Sequence, residues 1–148
     1  MTRQRVSLGP ERPPWVRTGP DGIEVEFGSL YEMVGSDWFD DLAGRFYEGV
    51  AVDPVLRPLY PDDLGGPVGR LAGFLRQYWG GPDDYSAERG HPRLRMRHAP
   101  FAIASPQRDA WLRCMAAALA DGGLPPAAES AVMEYFLSAA QHLVNAPD

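Results

Sequence analysis

Histidine is the residue type of this 148-residue chain best suited to bind a metal ion or a metal-containing group, and the chain has three. His98 lies four residues after Leu94, so a helix would place both side chains on one face, and Phe101 follows closely. An imidazole in such apolar surroundings could ligate the iron of a porphyrin. A lone histidine is more commonly a hydrogen-bonded residue at the edge of the core, and spacing alone leaves both alternatives open. His91, before a proline, and His142, in the last helical turn, are weaker candidates.

Three aromatic side chains that each carry one polar hydrogen are candidates for contact with a small ligand. Tyr47, Tyr60 and Trp111 fall in three different helices or turns, each on or beside an apolar stripe. Buried phenol and indole groups need a hydrogen-bond partner. They could pack in an ordinary core with their polar hydrogens on backbone carbonyls, or they could converge on a bound molecule.

Most other kinds of chemistry lack their motifs in this sequence. The single cysteine, Cys114, excludes an internal disulfide and a cysteine-based zinc site, and it suits a reducing cytoplasm. Histidine pairs with zinc spacing, the Gly-x-Ser-x-Gly motif and glycine-rich phosphate loops are also missing from the sequence. Chemistry would therefore come from a bound cofactor, or the chain has a binding role.

Charge and hydropathy argue against nucleic acid as a partner and against a membrane-spanning location. A formal net charge of −6 argues against nucleic acid, although a basic run holds Arg89, Arg93, Arg95 and Arg97. A pair of carboxylates on a docked cofactor would be a better counter-charge for that run. The sequence has no apolar stretch of the length of a signal peptide or a membrane span, so we expect a cytoplasmic protein.

Helical periodicity predicts an all-α domain over residues 28–148. Residues 1–27 hold four prolines and lack this periodicity, so they predict a flexible extension, and a strand at Ile23–Phe27 would have no partner. Glycine and proline at 80–82 end one helix and predict a flexible loop after it. The predicted helices lie at 38–50 behind a Ser36-Asp37 cap, from Asp53-Pro54 to near 58, at 68–79, at 92–98, at 105–120 and after 126.

Four stretches together form a long and specific pattern: QYWGGP at 77–82, YS at 85–86, RGHPRLRMRHAPF at 89–101 and RDAWL at 108–112. With them, the chain resembles the group II truncated haemoglobins, the bacterial kind often called haemoglobin O. Shorter stretches at 45–47, 53–61 and 144–145 fit the same family, so the resemblance covers roughly residues 29–147.

This resemblance implies a two-over-two helical sandwich, shortened from the full globin fold, that encloses haem b. His98 matches the proximal histidine that binds the iron. Tyr47, Tyr60 and Trp111 match the polar distal residues, and Leu71 matches the apolar residue of the long distal helix. Phe74, Leu94 and Phe101 are the further haem contacts that we predict, and Arg70, Tyr85, His91 and Arg95 are the candidates to meet the haem propionates.

The resemblance also implies what the protein does. O₂ bound to haem carries partial negative charge, so donors from Trp111 and the two tyrosines should hold it tightly. Redox chemistry on NO or peroxide, as an NO dioxygenase or peroxidase, follows by analogy only and would need an external electron donor; a homo-oligomer is a further expectation. The alternative is a haem-free sensor or interaction module of globin shape. One departure from the family is Pro67, which could delay the start of the distal helix.

Overall fold

A short β-hairpin precedes seven α-helices in the part of the chain that the computed structural model describes, residues 13–90, 93–98 and 101–148. The hairpin consists of β1 (Val16–Thr18) and β2 (Glu24–Glu26), which pair in antiparallel fashion. The helices are α1 (Leu30–Val34), α2 (Ser36–Val52), α3 (Gly65–Tyr78), α4 (Asp84–Arg89), α5 (Leu94–His98), α6 (Ser105–Ala120) and α7 (Pro126–Leu143), with a 3-10 helix at Arg57–Leu59 between α2 and α3.

Helix α2 is at the centre of the fold because apolar residues recur along it at three- and four-residue steps and bury one face of the helix. Phe39, Phe46 and Val50 are completely inaccessible to solvent. This face packs against both α3 and α6, and α6 packs against α7. The two helix pairs, α2 with α3 and α6 with α7, form the two-over-two arrangement that the sequence predicts. Within the described residues, no helix combines the length and the hydropathy needed to cross a bilayer.

Helix starts follow the cap and proline signals, with small differences. The carboxylate of Asp53 accepts hydrogen bonds from the main-chain N–H of Val55 and Leu56, at 2.9 and 3.0 Å, as its predicted capping role requires. The segment that follows is a 3-10 helix, not an α-helix. Ser36 is the first residue of α2 and Gly35 occupies the cap position, so the predicted Ser36-Asp37 cap is displaced by one residue.

Pro67 does not delay the distal helix. Helix α3 begins at Gly65, and the N–H of Val68 already donates to the carbonyl of Leu64 at 2.9 Å. A proline in the first turn removes only an N–H that has no partner within the helix, so the helix can begin before it. Pro67 is buried, and the expected delay is wrong.

The predicted loop after residue 82 contains a helix that the sequence pattern did not show. Helix α4 has six residues, too few for a recognisable apolar period. A tertiary contact with α3 holds it: the side-chain amide of Gln77 accepts a hydrogen bond from the N–H of Ser86 at 2.9 Å and donates one to the Ser86 hydroxyl at 2.8 Å. Two hydrogen bonds from α3 therefore hold this short helix in place.

The strand expected near Ile23–Phe27 has a partner after all. Strand β2 pairs with β1, with Val16 opposite Glu26. The hairpin is fixed to the helices by Trp15, whose ring meets that of Trp79 edge-to-face with centroids 5.5 Å apart. β1 has three residues, too few to reveal alternation, so the sequence alone did not predict the pairing. Residues 1–12 of the predicted flexible extension lie outside the described residues.

Two glycines should respond in opposite ways to alanine. A Cβ on Gly81 would lie 2.8 Å from both the Arg76 carbonyl oxygen and the Tyr31 ring, whereas one on Gly69, within α3, would meet nothing within 4 Å. We expect Gly81→Ala to lower the free energy of unfolding by about 1–3 kcal/mol through overpacking. Gly69→Ala should raise it by about 0.5–1 kcal/mol because alanine is the better helix former. Urea denaturation measures both changes, and shifts of equal sign would contradict the packing described.

Candidate functional site

A cavity of about 500 Å³ opens among the helices and holds most of the predicted site residues. This volume is within the range of pockets that bind small molecules and cofactors. The predicted residues that line it are Tyr47, Tyr60, Arg70, Leu71, Phe74, Tyr85, His98, Phe101 and Trp111. Of the remaining predictions, His91 lies outside the described residues, and so do the side chains of Leu94 and Arg95, whose main chain belongs to α5.

His98 reaches the cavity from the last residue of α5, a helix of five residues. Its side chain is partly buried. Its main-chain carbonyl accepts hydrogen bonds from the N–H of Phe101 at 3.0 Å and from the side-chain amide of Asn145 at 3.4 Å. His142, the other described histidine, is exposed near the end of α7 and does not line the cavity.

Tyr47, Tyr60 and Trp111, which we call the phenol–indole cluster, meet in one part of the cavity from three separate elements. Tyr47 lies on α2, Tyr60 directly follows the 3-10 helix, and Trp111 lies on α6. The two phenol rings pack edge-to-face, with centroids 5.3 Å apart and an interplanar angle of 85°. Trp111 packs on Phe46, the neighbour of Tyr47 in α2, with centroids 5.0 Å apart. The cluster therefore gathers hydrogen-bond donors beside an apolar wall.

Burial keeps both hydroxyls of the cluster protonated. Burial raises the pKa of Tyr47 far above its ordinary value, and charge repulsion and hydrogen bonding with Tyr60 raise it further. Burial also raises the pKa of Tyr60, although hydrogen bonding with Tyr47 and with Trp111 partly offsets the rise. Both phenols therefore keep the proton that tyrosine carries at neutral pH, and they keep it to higher pH than an exposed tyrosine does.

Arginine side chains give the cavity a positive edge in a chain whose formal net charge is −6. Arg70, Arg89, Arg97 and Arg108 all line it. Arg108 donates to the carboxylate of the adjacent aspartate at 3.0 Å and to the Gln141 side chain at 2.7 Å. Such guanidinium groups are suited to pair with carboxylates of a bound molecule. Arg70 was predicted for this role from the resemblance, Arg89 and Arg97 belong to the basic run for which cofactor carboxylates were the expected counter-charge, and Arg108 was not predicted.

The inner face of α7 forms a wall of the cavity that the sequence analysis also missed. The apolar period of α7 was visible in the sequence. That signal shows that a face is covered, but it does not distinguish a face that meets another helix from one that borders a cavity. The residues of α7 that line the cavity are Tyr135, Phe136, Ala139, Ala140 and Leu143.

Comparison with known proteins identifies the family. Residues 29–145 match the family model described as bacterial-like globin. The group 2 truncated hemoglobin YjbI of Bacillus subtilis is 41% identical over 123 residues, which cover 80% of this chain and 90% of that protein. This chain belongs to the group II truncated haemoglobins.

Solved structures agree with this membership in both sequence and fold. A thermostable haemoglobin from the actinobacterium Thermobifida fusca is 54% identical and superposes with a TM-score of 0.79, covering 81% of this chain and 99% of that one. A truncated oxygen-avid haemoglobin from Bacillus subtilis is 40% identical, with a TM-score of 0.76 and coverage of 80% and 100%. As a member of this globin family, the chain is a haem-binding protein that takes small diatomic ligands.

The residues of the cavity fit a haem group. Leu71, Phe74 and Phe136 supply apolar surface for a porphyrin face, and His98 supplies an imidazole nitrogen of the kind that ligates haem iron. Positive side chains such as Arg70 and Arg108 supply counter-charge for propionates. The donor set, the apolar walls and the charge of the cavity are thus all of the required chemical types.

The ionisation of Tyr135 tests whether the face of α7 that lines the cavity is shielded from water. Burial, and next the neighbouring Tyr78, raise its pKa from 10.0 to about 12. The unfolded chain releases this proton first, so the contribution to stability is complete below pH 10 and is lost as the pH rises toward 12. The phenolate absorbance of the wild type, after that of Tyr135→Phe is subtracted, reports the ionisation of Tyr135. Read after a rapid pH jump, before the protein unfolds, this difference should have its midpoint near pH 12. A midpoint at the ordinary tyrosine pKa of 10.0 would mean that water reaches Tyr135 and that α7 is not packed as described.

Proposed function

We propose that this chain binds haem b in the cavity, with His98 as the proximal ligand of the iron, and holds O₂ tightly beside the phenol–indole cluster. The observation that carries the proposal is that His98 and all three members of the cluster line the same cavity, although they come from four separate segments of the chain. A group II relative described as oxygen-avid supports the O₂ preference.

Haem, when bound, supplies an iron centre that takes up diatomic ligands. The residues of this chain have three separate tasks around it. His98 provides a ring nitrogen for the iron, and its main-chain carbonyl is held by hydrogen bonds. Leu71 and Phe74 exclude water from the porphyrin faces, and arginines such as Arg70 pair with its carboxylates.

The phenol–indole cluster selects among small ligands by charge. Its N–H and O–H groups stabilise a ligand that draws partial negative charge, such as O₂, and do less for CO, which draws little. Tyrosine is protonated at neutral pH, and burial raises the pKa of both residues further, so the donors persist into the alkaline range. Turnover of NO or peroxide at the same site would require an external electron donor. The single Cys114 suits the cytoplasmic location that we propose.

Replacement of His98 tests the cofactor assignment. We expect the purified wild-type protein to show an intense Soret band and His98→Ala to lose most of it, because the alanine has no nitrogen to bind the iron. His142→Ala is the matched control, since His142 is exposed and does not line the cavity. A folded wild-type protein that is colourless and does not bind added haemin would instead support the haem-free sensor or interaction module.

Replacement of Trp111 tests the ligand assignment. Trp111→Phe keeps an aromatic ring in the wall and removes one N–H donor. A hydrogen bond to a charged acceptor is worth about 1.5–3 kcal/mol, so O₂ release should become roughly ten- to hundredfold faster. CO release should change much less. Stopped-flow or flash photolysis measures both rates.

Trp38→Phe is the control for that measurement. Trp38 also loses an indole N–H in this change, but its donor bonds to the carbonyl of Gly122 at 2.7 Å and the residue does not line the cavity. Its O₂ release rate should therefore match that of the wild type. An unchanged rate in Trp111→Phe would refute the role of Trp111 as a donor to the ligand.

A further inference from the structure

The last residues of the chain are hydrogen-bonded to the main chain that carries His98. The side-chain nitrogen of Asn145 donates to the carbonyl of Phe101 at 2.9 Å and to that of His98 at 3.4 Å. Its side-chain oxygen accepts from the N–H of Ile103 at 2.8 Å. A single amide therefore bonds to three residues of the described main chain between His98 and the start of α6.

Main-chain bonds attach the same segment independently of the Asn145 side chain. The N–H groups of Asn145 and Ala146 both donate to the carbonyl of Ile103, at 2.8 and 3.1 Å. Further along, the carboxylate of Asp148 accepts from the N–H of Ser105 at 3.0 Å, at the first residue of α6. These bonds do not need the Asn145 amide, so they can persist when that side chain is changed.

The amide of asparagine is chemically suited to this position. It offers two N–H donors and a carbonyl acceptor on one short side chain, and all of these face groups of opposite kind here. Aspartate has nearly the same shape but, when ionised, only accepts hydrogen bonds. It would turn an oxygen toward the carbonyls of His98 and Phe101.

Helix α5 needs such support because it cannot hold His98 in position alone. A helix of five residues is far below the length at which helices are stable by themselves. The carbonyls of its last turn have no partner within the helix, and His98 is its final residue. Phe101 and Ile103, the other two residues that Asn145 bonds, also line the cavity.

We propose that Asn145 is a positioning residue for the proximal side of the pocket: its amide fixes the main-chain groups of His98, Phe101 and Ile103 and thereby sets the direction of the His98 imidazole. This inference rests on the proposed function, in which His98 ligates the haem iron. A ligand group that is not held in place by its supporting contacts binds its metal less tightly and with a wider range of geometries.

Asn145→Ala in the haem-loaded protein tests this role, with Asp148→Ala as the matched control. Both changes remove side-chain hydrogen bonds from the 144–148 segment, but Asp148 bonds to Ser105 at the start of α6 and not to His98 or Phe101. Three readouts are needed: far-UV circular dichroism, the iron–histidine stretching frequency of the ferrous protein by resonance Raman, and the rate of haem transfer to excess apomyoglobin.

We expect Asn145→Ala to keep its helices because the main-chain bonds to Ile103 remain. Its iron–histidine band should shift or broaden, and haem should leave at least about two- to twelvefold faster, which is the change in equilibrium that one lost hydrogen bond is worth. Asp148→Ala should match the wild type in both haem readouts. Asn145→Asp, which keeps an acceptor for Ile103 but loses both donors, should show the same spectral change as the alanine variant.

The proposal is overturned if both Asn145 variants have the same iron–histidine frequency and the same haem-transfer rate as the wild type. Asn145 would then stabilise the chain without directing His98. Equal effects of Asn145→Ala and Asp148→Ala would overturn it as well. Failure of the proposed function has a different signature. In that case the wild-type protein has no Soret band, or His98→Ala retains it.

Discussion

The structure depends on the packing of α2 between α3 and α6. Phe39, Phe46 and Val50 are completely buried along one face of α2, and this burial supplies a large part of the hydrophobic stabilisation. The buried apolar face fixes the position of α2 along α6, and two side chains of the same helix add hydrogen bonds at the C-terminal end of α6. Trp38 donates to the carbonyl of Gly122 at 2.7 Å, and Arg45 donates to that of Ala118 at 3.0 Å. The position of α2 relative to α6 determines where Tyr47 meets Trp111, so the core and the site share one constraint.

Polar groups inside the cavity are the main cost of this arrangement. A buried hydroxyl or N–H without a partner is destabilising, and a space left open among helices gives up packing contacts. The phenol–indole cluster places its polar groups on the lining of the cavity, where a bound molecule can accept their hydrogens. The rings also pack on Phe46 and on each other, so the donors are held in place by apolar contacts. Side chains ordered in this way are already arranged for a ligand before it arrives.

Elements with a long apolar period could be predicted from the sequence, and elements fixed by tertiary contacts could not. Helices α2 and α6 have sixteen or seventeen residues each, and their apolar patterns and proline or cap signals placed them correctly. Helix α4 depends on the bonds between Gln77 and Ser86, and β1 depends on pairing with β2 and on the contact of Trp15 with Trp79. Nine of the site residues predicted from the sequence line the cavity, including His98 and the phenol–indole cluster. Periodicity alone could not show that the inner face of α7 borders a cavity.

The two sides of the pocket differ in the elements that support them. Tyr47 and Trp111 stand on helices of seventeen and sixteen residues that are packed along their length, so their positions follow from the core. His98 stands at the end of a helix of five residues, whose main chain cannot be fixed by its own helical hydrogen bonds. Its position must therefore come from neighbours: α7, which packs on α5, and the hydrogen bonds of the residues that follow α7. For this reason, changes far along the chain can act on the proximal side while the distal donors remain where α2 and α6 place them.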